Sequence, residues 1–289
     1  MNESILKALM RLFAIIANVD ESGVSKKALQ IVENYLSLML NRKNIDEYLA
    51  LFDHYVKIHH KIKDKDSLKA KKRTSVNSVK VLMICNEINE QLHQEEKIIV
   101  LVRLFEFIAE DNIISDDELE FVKTVAEVFN VNSEEYREIK KFVFLQTDFA
   151  NFHSENLLLI NGAEKPPHEN IKHICSKNME GDIGILFIES TGTLILKYKG
   201  DSTIFLNSQD IKPNRIYVFD SGSVIKSSKI APVYQSDAVG AFISSEHHEK
   251  VIFKAEQIAY TYPNSTNGIK PFSFEAKSGN LVGIMGGSG

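Results

Sequence analysis

From Ile5 to Phe144 the apolar residues recur at helical spacing, and no proline interrupts them. Ile5, Leu6, Leu9, Leu12, Phe13 and Ile16 fall at the i, i+3, i+4, i+7 intervals that mark one face of a helix. Similar stripes run through Tyr48-Leu49-Leu51-Phe52-Tyr55, Val79-Leu82-Met83, Ile98–Phe107, Leu119–Phe129 and Tyr136–Phe144. Each such face has to be buried against a neighbour, so the pattern predicts an all-α bundle. The polar stretches Arg42-Lys43-Asn44, Asn112 and Asn130–Ser133 are the expected connections.

The pattern changes after Phe149. Pro166-Pro167 breaks any helix, and from Asn178 onward glycines and β-branched residues dominate. Strands are predicted at Leu157–Ile160, Ile183–Ser190, Thr193–Tyr198, Ser202–Leu206, Arg215–Phe219 and Ser223–Ile225. Short strands at close spacing predict a compact sandwich or barrel. The alternation in Thr193–Tyr198 suits a strand with one covered face, and a short helix over Asp237–Phe242 closes the module. A third change comes at Lys250–Pro263, where apolar residues alternate again. Gly268–Ala276, the turn Lys277-Ser278-Gly279-Asn280 and the apolar run Leu281–Met285 follow. The expected fold class is therefore multidomain α+β: a helical domain over 1–148, a small β-rich module over 149–247, and further strands over 248–289.

Composition narrows the function classes. The 289 residues are 44% hydrophobic and 25% charged, ordinary globular values that exclude a disordered or fibrous chain. A formal charge of −5 argues against a dedicated nucleic-acid binder, so no nucleic-acid partner is expected. Cys85 and Cys175 form no C-x-x-C pair, which points to a reducing, cytoplasmic setting. Met1–Ser4 lacks the basic start of a signal peptide, and runs such as Ile183–Ile188 fall far short of the roughly 20 residues a bilayer requires. A soluble chain is the expectation.

Two stretches carry candidate chemistry. Leu9–Ala17 echoes Leu101–Ala109, and each is followed by an acidic loop, Asp20-Glu21-Ser22-Gly23 and Asp111-Asn112-Ile113-Ile114. A duplicated helix–loop–helix follows from that echo. Ser115-x-x-Glu118 reads as a capping box, in which the serine oxygen accepts from the Glu118 amide and the glutamate reaches back to the Ser115 amide. The segment from Ile108 to Leu119 also resembles the signature of the TerB-like and DjlA-like helical family, over roughly residues 1–145. The resemblance implies a divalent metal at the acidic loop, with Asp111 and Glu118 as the matching positions. Asn112 replaces that family's glycine, and Ala28 stands where the first copy would carry its glutamate. His54, His59 and His60 lack any accompanying zinc pattern and are expected on a solvated helix face; the basic run from Lys63 to Arg73 is expected to be a solvated connector.

Within the β module, Thr203–Ile211, Arg215–Phe219 and Gly222-Ser223 resemble a forkhead-associated domain. No G-R-x-x-x-N run precedes an S-x-x-H pair, so that family's phosphopeptide site does not carry over; Asn207, Arg215 and Ser223 are expected as turn and edge residues.

The second stretch is the last one, Gly283-Ile284-Met285-Gly286-Gly287-Ser288-Gly289. An apolar strand opening into glycines is how a phosphate-binding loop begins, because inward-turned amides form a nest that side chains would block. Together with Tyr262-Pro263 and Ser278-Gly279-Asn280, this order resembles the opening of an ATP-binding-cassette (ABC) ATPase domain over the last 40 or so residues. The resemblance implies ATP and Mg²⁺ as cofactors. Tyr262 would stack on adenine, and Gly286, Gly287, Ser288 and Gly289 would bind phosphate. It further implies a transporter ATPase with a membrane-spanning part as partner, a location at the inner face of the cell membrane, and a dimer formed through the full ABC domain. The loop lysine and the Mg²⁺ ligands would follow Gly289, so these residues alone are expected not to hydrolyse ATP. The alternative is a non-enzymatic TerB-like scaffold that senses a metal or a partner.

Overall fold

The computed structural model describes residues 3–17, 19–20, 23–24, 26–37, 40, 42–60, 70–109, 114–169, 171–243, 251–277 and 282–283. They form an α+β protein in two compact units, residues 1–242 and 243–289. The first unit begins with α1 (Glu3–Ile16), a short hairpin of β1 (Val19–Asp20) and β2 (Gly23–Val24), and α2 (Lys26–Ser37). There follow α3 (Arg42–His60), α4 (Ala70–Gln91), α5 (Gln94–Ala109), α6 (Asp116–Val128) and α7 (Ser133–Phe144). α1 packs on α3, α4 and α5, and α5 packs in turn on α6 and α7. Leu9, Leu12 and Phe13 of α1 and Leu101, Leu104 and Phe105 of α5 are all fully buried. The two echoing segments are thus neighbouring core helices. Their arginines also match: Arg11 lies 5.7 Å from the Tyr55 ring centre and bonds Glu87 at 2.6 Å, while Arg103 lies 5.9 Å from Tyr35 and bonds Glu106.

α4 buries a different face from the expected one. Val81, Ile84, Cys85 and Ile88 point inward, whereas Val79, Leu82 and Met83 are exposed. Both sets have helical spacing, but the inward one runs for two turns and continues to buried Leu92, so it covers more of the core. α3 also starts at Arg42, inside the expected connection.

The β part of the same unit holds two sheets. The larger has the order β4-β3-β5-β6-β9, from β3 (Leu157–Asn161), β4 (Lys172–Cys175), β5 (Asp182–Ile188), β6 (Thr193–Lys199) and β9 (Ile216–Val218). Only the β3–β4 pair in it is parallel. The smaller has the order β11-β10-β7-β8, from β7 (Phe205–Leu206), β8 (Gln209–Asp210), β10 (Val224–Lys226) and β11 (Val233–Tyr234). α8 (Gln235–Ile243) then closes the module, as the sequence predicts.

The larger sheet is covered on both faces. Ile183, Ile185, Leu194, Leu196 and Tyr198 join a core with Leu206, Ile225 and Val233 of the smaller sheet. Leu157, Leu159, Leu186, Ile188 and Ile195 join the core of the helices. Period-2 alternation therefore sends every second residue into one of two apolar cores, which is why β5 and β6 read as nearly continuous apolar runs. β6 accordingly has two covered faces rather than the one expected, with Thr193, Ile195 and Lys197 buried as well. At β5 the helix-facing side is tight enough that a Cβ on Gly184 would come within 2.4 Å of the Phe149 ring.

The second unit is an antiparallel pair, β12 (Ile252–Thr261) and β13 (Gly268–Lys277). Its register shifts at Gln257, which has φ +49°, and again before Tyr260. Among the described residues, no helix is long and apolar enough to cross a membrane.

Candidate functional site

The first unit holds a cavity of about 380 Å³ between α1, α2 and α5 on one side and β7, β8, β9 and the Asp220–Ser223 turn on the other. Its chemistry starts on α5. Arg103, Glu106 and Phe107 stand at i, i+3 and i+4, so they share one face of the helix. That face meets β9, the edge strand of the larger sheet, whose outer backbone groups have no strand partner. Arg103 and Glu106 supply one instead. Ile216 N–H donates to Glu106 Oε1 at 2.9 Å, and Arg103 Nη1 donates to the Ile216 carbonyl at 2.8 Å. The two side chains are joined to each other at 2.5 Å and are 5% and 11% exposed, so the pair is a buried one.

Burial works against the guanidinium charge, but Glu106 and the neighbouring Tyr35 and Tyr217 outweigh it and hold the Arg103 pKa above its ordinary value. Burial likewise pushes the Tyr35 and Tyr217 hydroxyls up. Arg103 Nε has no hydrogen-bond partner. Opposite the helices, Asn207 takes φ +58° in the turn between β7 and β8. Its Oδ1 accepts from Val224 N at 3.0 Å, and its Nδ2 donates to Ser223 Oγ at 3.4 Å. Tyr217 OH accepts from Lys212 N at 2.8 Å. Arg215 also lines the cavity. Asn207, Arg215 and Ser223 are turn and strand-flanking residues, as expected, and the fold gathers all three around one cavity.

The other expected site residues fall elsewhere. Ser115 and Glu118 form the capping box of α6: Ser115 N and Ser115 Oγ both donate to Glu118 Oε2 at 2.8 Å, and Glu118 N donates to Ser115 Oγ at 3.2 Å. Asp111 lies outside the described residues. Among the described residues, no group of three or more His, Cys, Asp or Glu is placed to hold a metal ion. Ser115→Ala is expected to cost about 1 kcal/mol, readable as a lower midpoint at unchanged slope in urea unfolding.

Tyr262 directly follows β12 and is 53% exposed. Its N–H donates to the Asn267 carbonyl at 3.0 Å, and its ring meets Tyr260 edge-on at 5.3 Å. The backbone at the hairpin tip is thus fixed while the Tyr262 ring stays accessible. Gly286, Gly287, Ser288 and Gly289 lie outside the described residues. His54 and His59 flank Tyr55 on α3 at ring distances of 5.7 and 6.5 Å. The side chain of His60 and residues 61–69 lie outside the described set.

Sequence reasoning passed over Arg103 and Glu106. The available signal was the i, i+3 charge pair inside the otherwise apolar face Leu101-Val102-Arg103-Leu104-Phe105-Glu106-Phe107. Comparison with protein-family models, curated proteins and solved structures gave no match.

Proposed function

We propose that this chain is the N-terminal regulatory part of an ATP-binding-cassette ATPase of the transporter type, and that residues 248–289 open its nucleotide-binding domain. The carrying observation is the β12–β13 pair. Phe253, Ile258, Tyr260, Ile269 and Phe272 are between 39% and 62% exposed on a sheet of only two strands. A lone hairpin is marginal in water, and an apolar patch of this kind marks a surface made to be covered. In this reading the remaining strands of the nucleotide domain cover it. Tyr262 then presents its ring to adenine, and the amides of Gly286, Gly287, Ser288 and Gly289 receive phosphate oxygens. ATP and Mg²⁺ are the cofactors, and the helical and β layers of residues 1–242 are the regulatory part.

The test begins with the coding sequence past Gly289. A continuation with a glycine, a lysine and a hydroxyl residue supports the reading, and a stop codon there sinks it. A chain extended through the complete domain is expected to hydrolyse ATP, whereas residues 1–289 are not. Tyr262→Ala in the extended chain is expected to weaken ATP binding by about tenfold, the loss of one base–aromatic stack. Equal affinity in the variant would remove Tyr262 from the site.

A further inference from the structure

The cavity between α5 and the β9 edge spends its inner charges on the protein itself. Both oxygens of Glu106 are taken, by Arg103 and by Ile216 N–H, and Arg103 Nη1 also holds the Ile216 carbonyl. The pair is buried and neutral as a unit. The other two ionisable side chains of opposite sign in the lining, Arg215 and Asp220, balance each other as well. An ion entering this cavity would give up its water without meeting a net opposite charge, and that desolvation is costly.

The surface that does face the cavity is of two kinds. Ile99 and Phe107 of α5 and Val218 of β9 line it and are partly exposed, which makes one wall apolar. Across from them stands the turn closed by Ser223 N–H donating to the Asp220 carbonyl at 3.0 Å. Ser223 Oγ accepts from Asn207 Nδ2 at 3.4 Å and keeps its own proton to give. The Asp220 side chain, on the same turn, is exposed and supplies acceptors. A hydroxyl or primary amide matches that combination, because it accepts from one neighbour and donates to the other. The volume of about 380 Å³ lies in the range of roughly 300–1,000 Å³ typical of small-molecule pockets. It is more than twice the roughly 150 Å³ that admits benzene, so it has room for a bicyclic body.

We propose that this cavity binds an uncharged organic molecule of about bicyclic size, with a hydroxyl or amide end. The apolar body lies against Ile99, Phe107 and Val218, and the polar end meets Ser223 and Asp220. Such an occupant touches both α5 and β9 and so bridges the helical layer and the sheet. The proposal is independent of the nucleotide-domain reading, because every residue it uses lies in residues 1–242.

The experiment is a titration of the ¹⁵N-labelled full chain with 2-naphthol, uncharged at neutral pH, followed by amide shifts. Saturable shifts are expected at Asn207, Gln209, Val218, Asp220 and Ser223. The anion 2-naphthoate and the cation 2-naphthylmethylammonium are each expected to bind about tenfold more weakly. Val218→Phe fills the cavity and should abolish the shifts. If that variant fails to fold, Ser223→Ala should weaken binding about fivefold, the loss of one neutral hydrogen bond. No saturable shift at these amides with about 2 mM 2-naphthol would overturn the proposal, as would unchanged affinity in whichever variant folds. Equal or tighter binding of either charged analogue would overturn the uncharged class.

Discussion

Replacing Lys197 with methionine is expected to destabilise the full chain by about 3 kcal/mol in urea unfolding, one of the largest single effects in the molecule. Lys197 is only 2% exposed and sits on β6, facing the C-terminal end of α7. Its ammonium donates to the carbonyls of Val143 at 2.8 Å and Leu145 at 3.1 Å, with that of Phe142 at 3.5 Å. The last carbonyls of a helix have no intrahelical donor, and a cation placed there both bonds them and meets the negative end of the helix dipole. Methionine keeps the apolar stem but removes the donors, leaving buried carbonyls unsatisfied.

The same residue gives stability a pH dependence. Burial, with Lys199 nearby, lowers the Lys197 pKa from 10.5 to about 8. Between those values the unfolded chain holds the proton and the folded chain does not, so stability rises with pH across that window. Lys199, lowered chiefly by burial, acts in the same direction. Above pH 10 the buried Tyr198 and Tyr217, whose hydroxyls burial pushes up from 10.0, reverse the trend, because the unfolded tyrosines ionise first. The native chain is expected to gain stability from about pH 8 to pH 9, and Lys197→Met to lose most of that gain; above pH 9 the Cys85 thiol, which burial raises from 9.0 to about 12, opposes the lysines, because it ionises first in the unfolded chain. An unchanged pH profile in the variant would assign the gain to other groups.

Arg103→Ala is expected to cost about 3–5 kcal/mol, because it leaves the Glu106 charge buried and the Ile216 carbonyl without its donor. Replacing both partners with apolar residues, as Arg103→Met with Glu106→Leu, should cost less than the single change. A double-mutant cycle in urea then measures the coupling of the pair. Strictly additive costs would mean that the two side chains act separately at the β9 edge.

The sequence made some elements legible and concealed others for identifiable reasons. The stripes of α1 and α5 stood out because their buried residues repeat at helical spacing in an unbroken run. β5 and β6 stood out as apolar runs, yet a run does not say whether one face or two is covered. β4 escaped notice because Lys172-His173-Ile174-Cys175 alternates weakly and is only partly buried. On α4 two apolar stripes competed, and only the neighbours that a helix meets decide which one turns inward. Ser115 and Glu118 were legible as a cap, since both partners of a capping box lie three residues apart in one chain segment.

The cavity was not legible, because its parts are far apart in sequence. Arg103 and Ile216 are separated by 113 residues. Asn207, Arg215 and Ser223 looked like ordinary turn chemistry until the helices closed over them. By itself the sequence determined the α+β class, the helical first half, the strands β3, β5, β6, β7, β9 and β10 of the β module and the α6 cap, because local periodicity and short-range hydrogen bonds are written in neighbouring residues. Only the tertiary structure decided that the larger sheet is covered on both faces, that Lys197 caps α7 and that Arg103 and Glu106 close the edge of β9. Those are long-range pairings, and a buried charge discloses its partner only when the chain has folded around it.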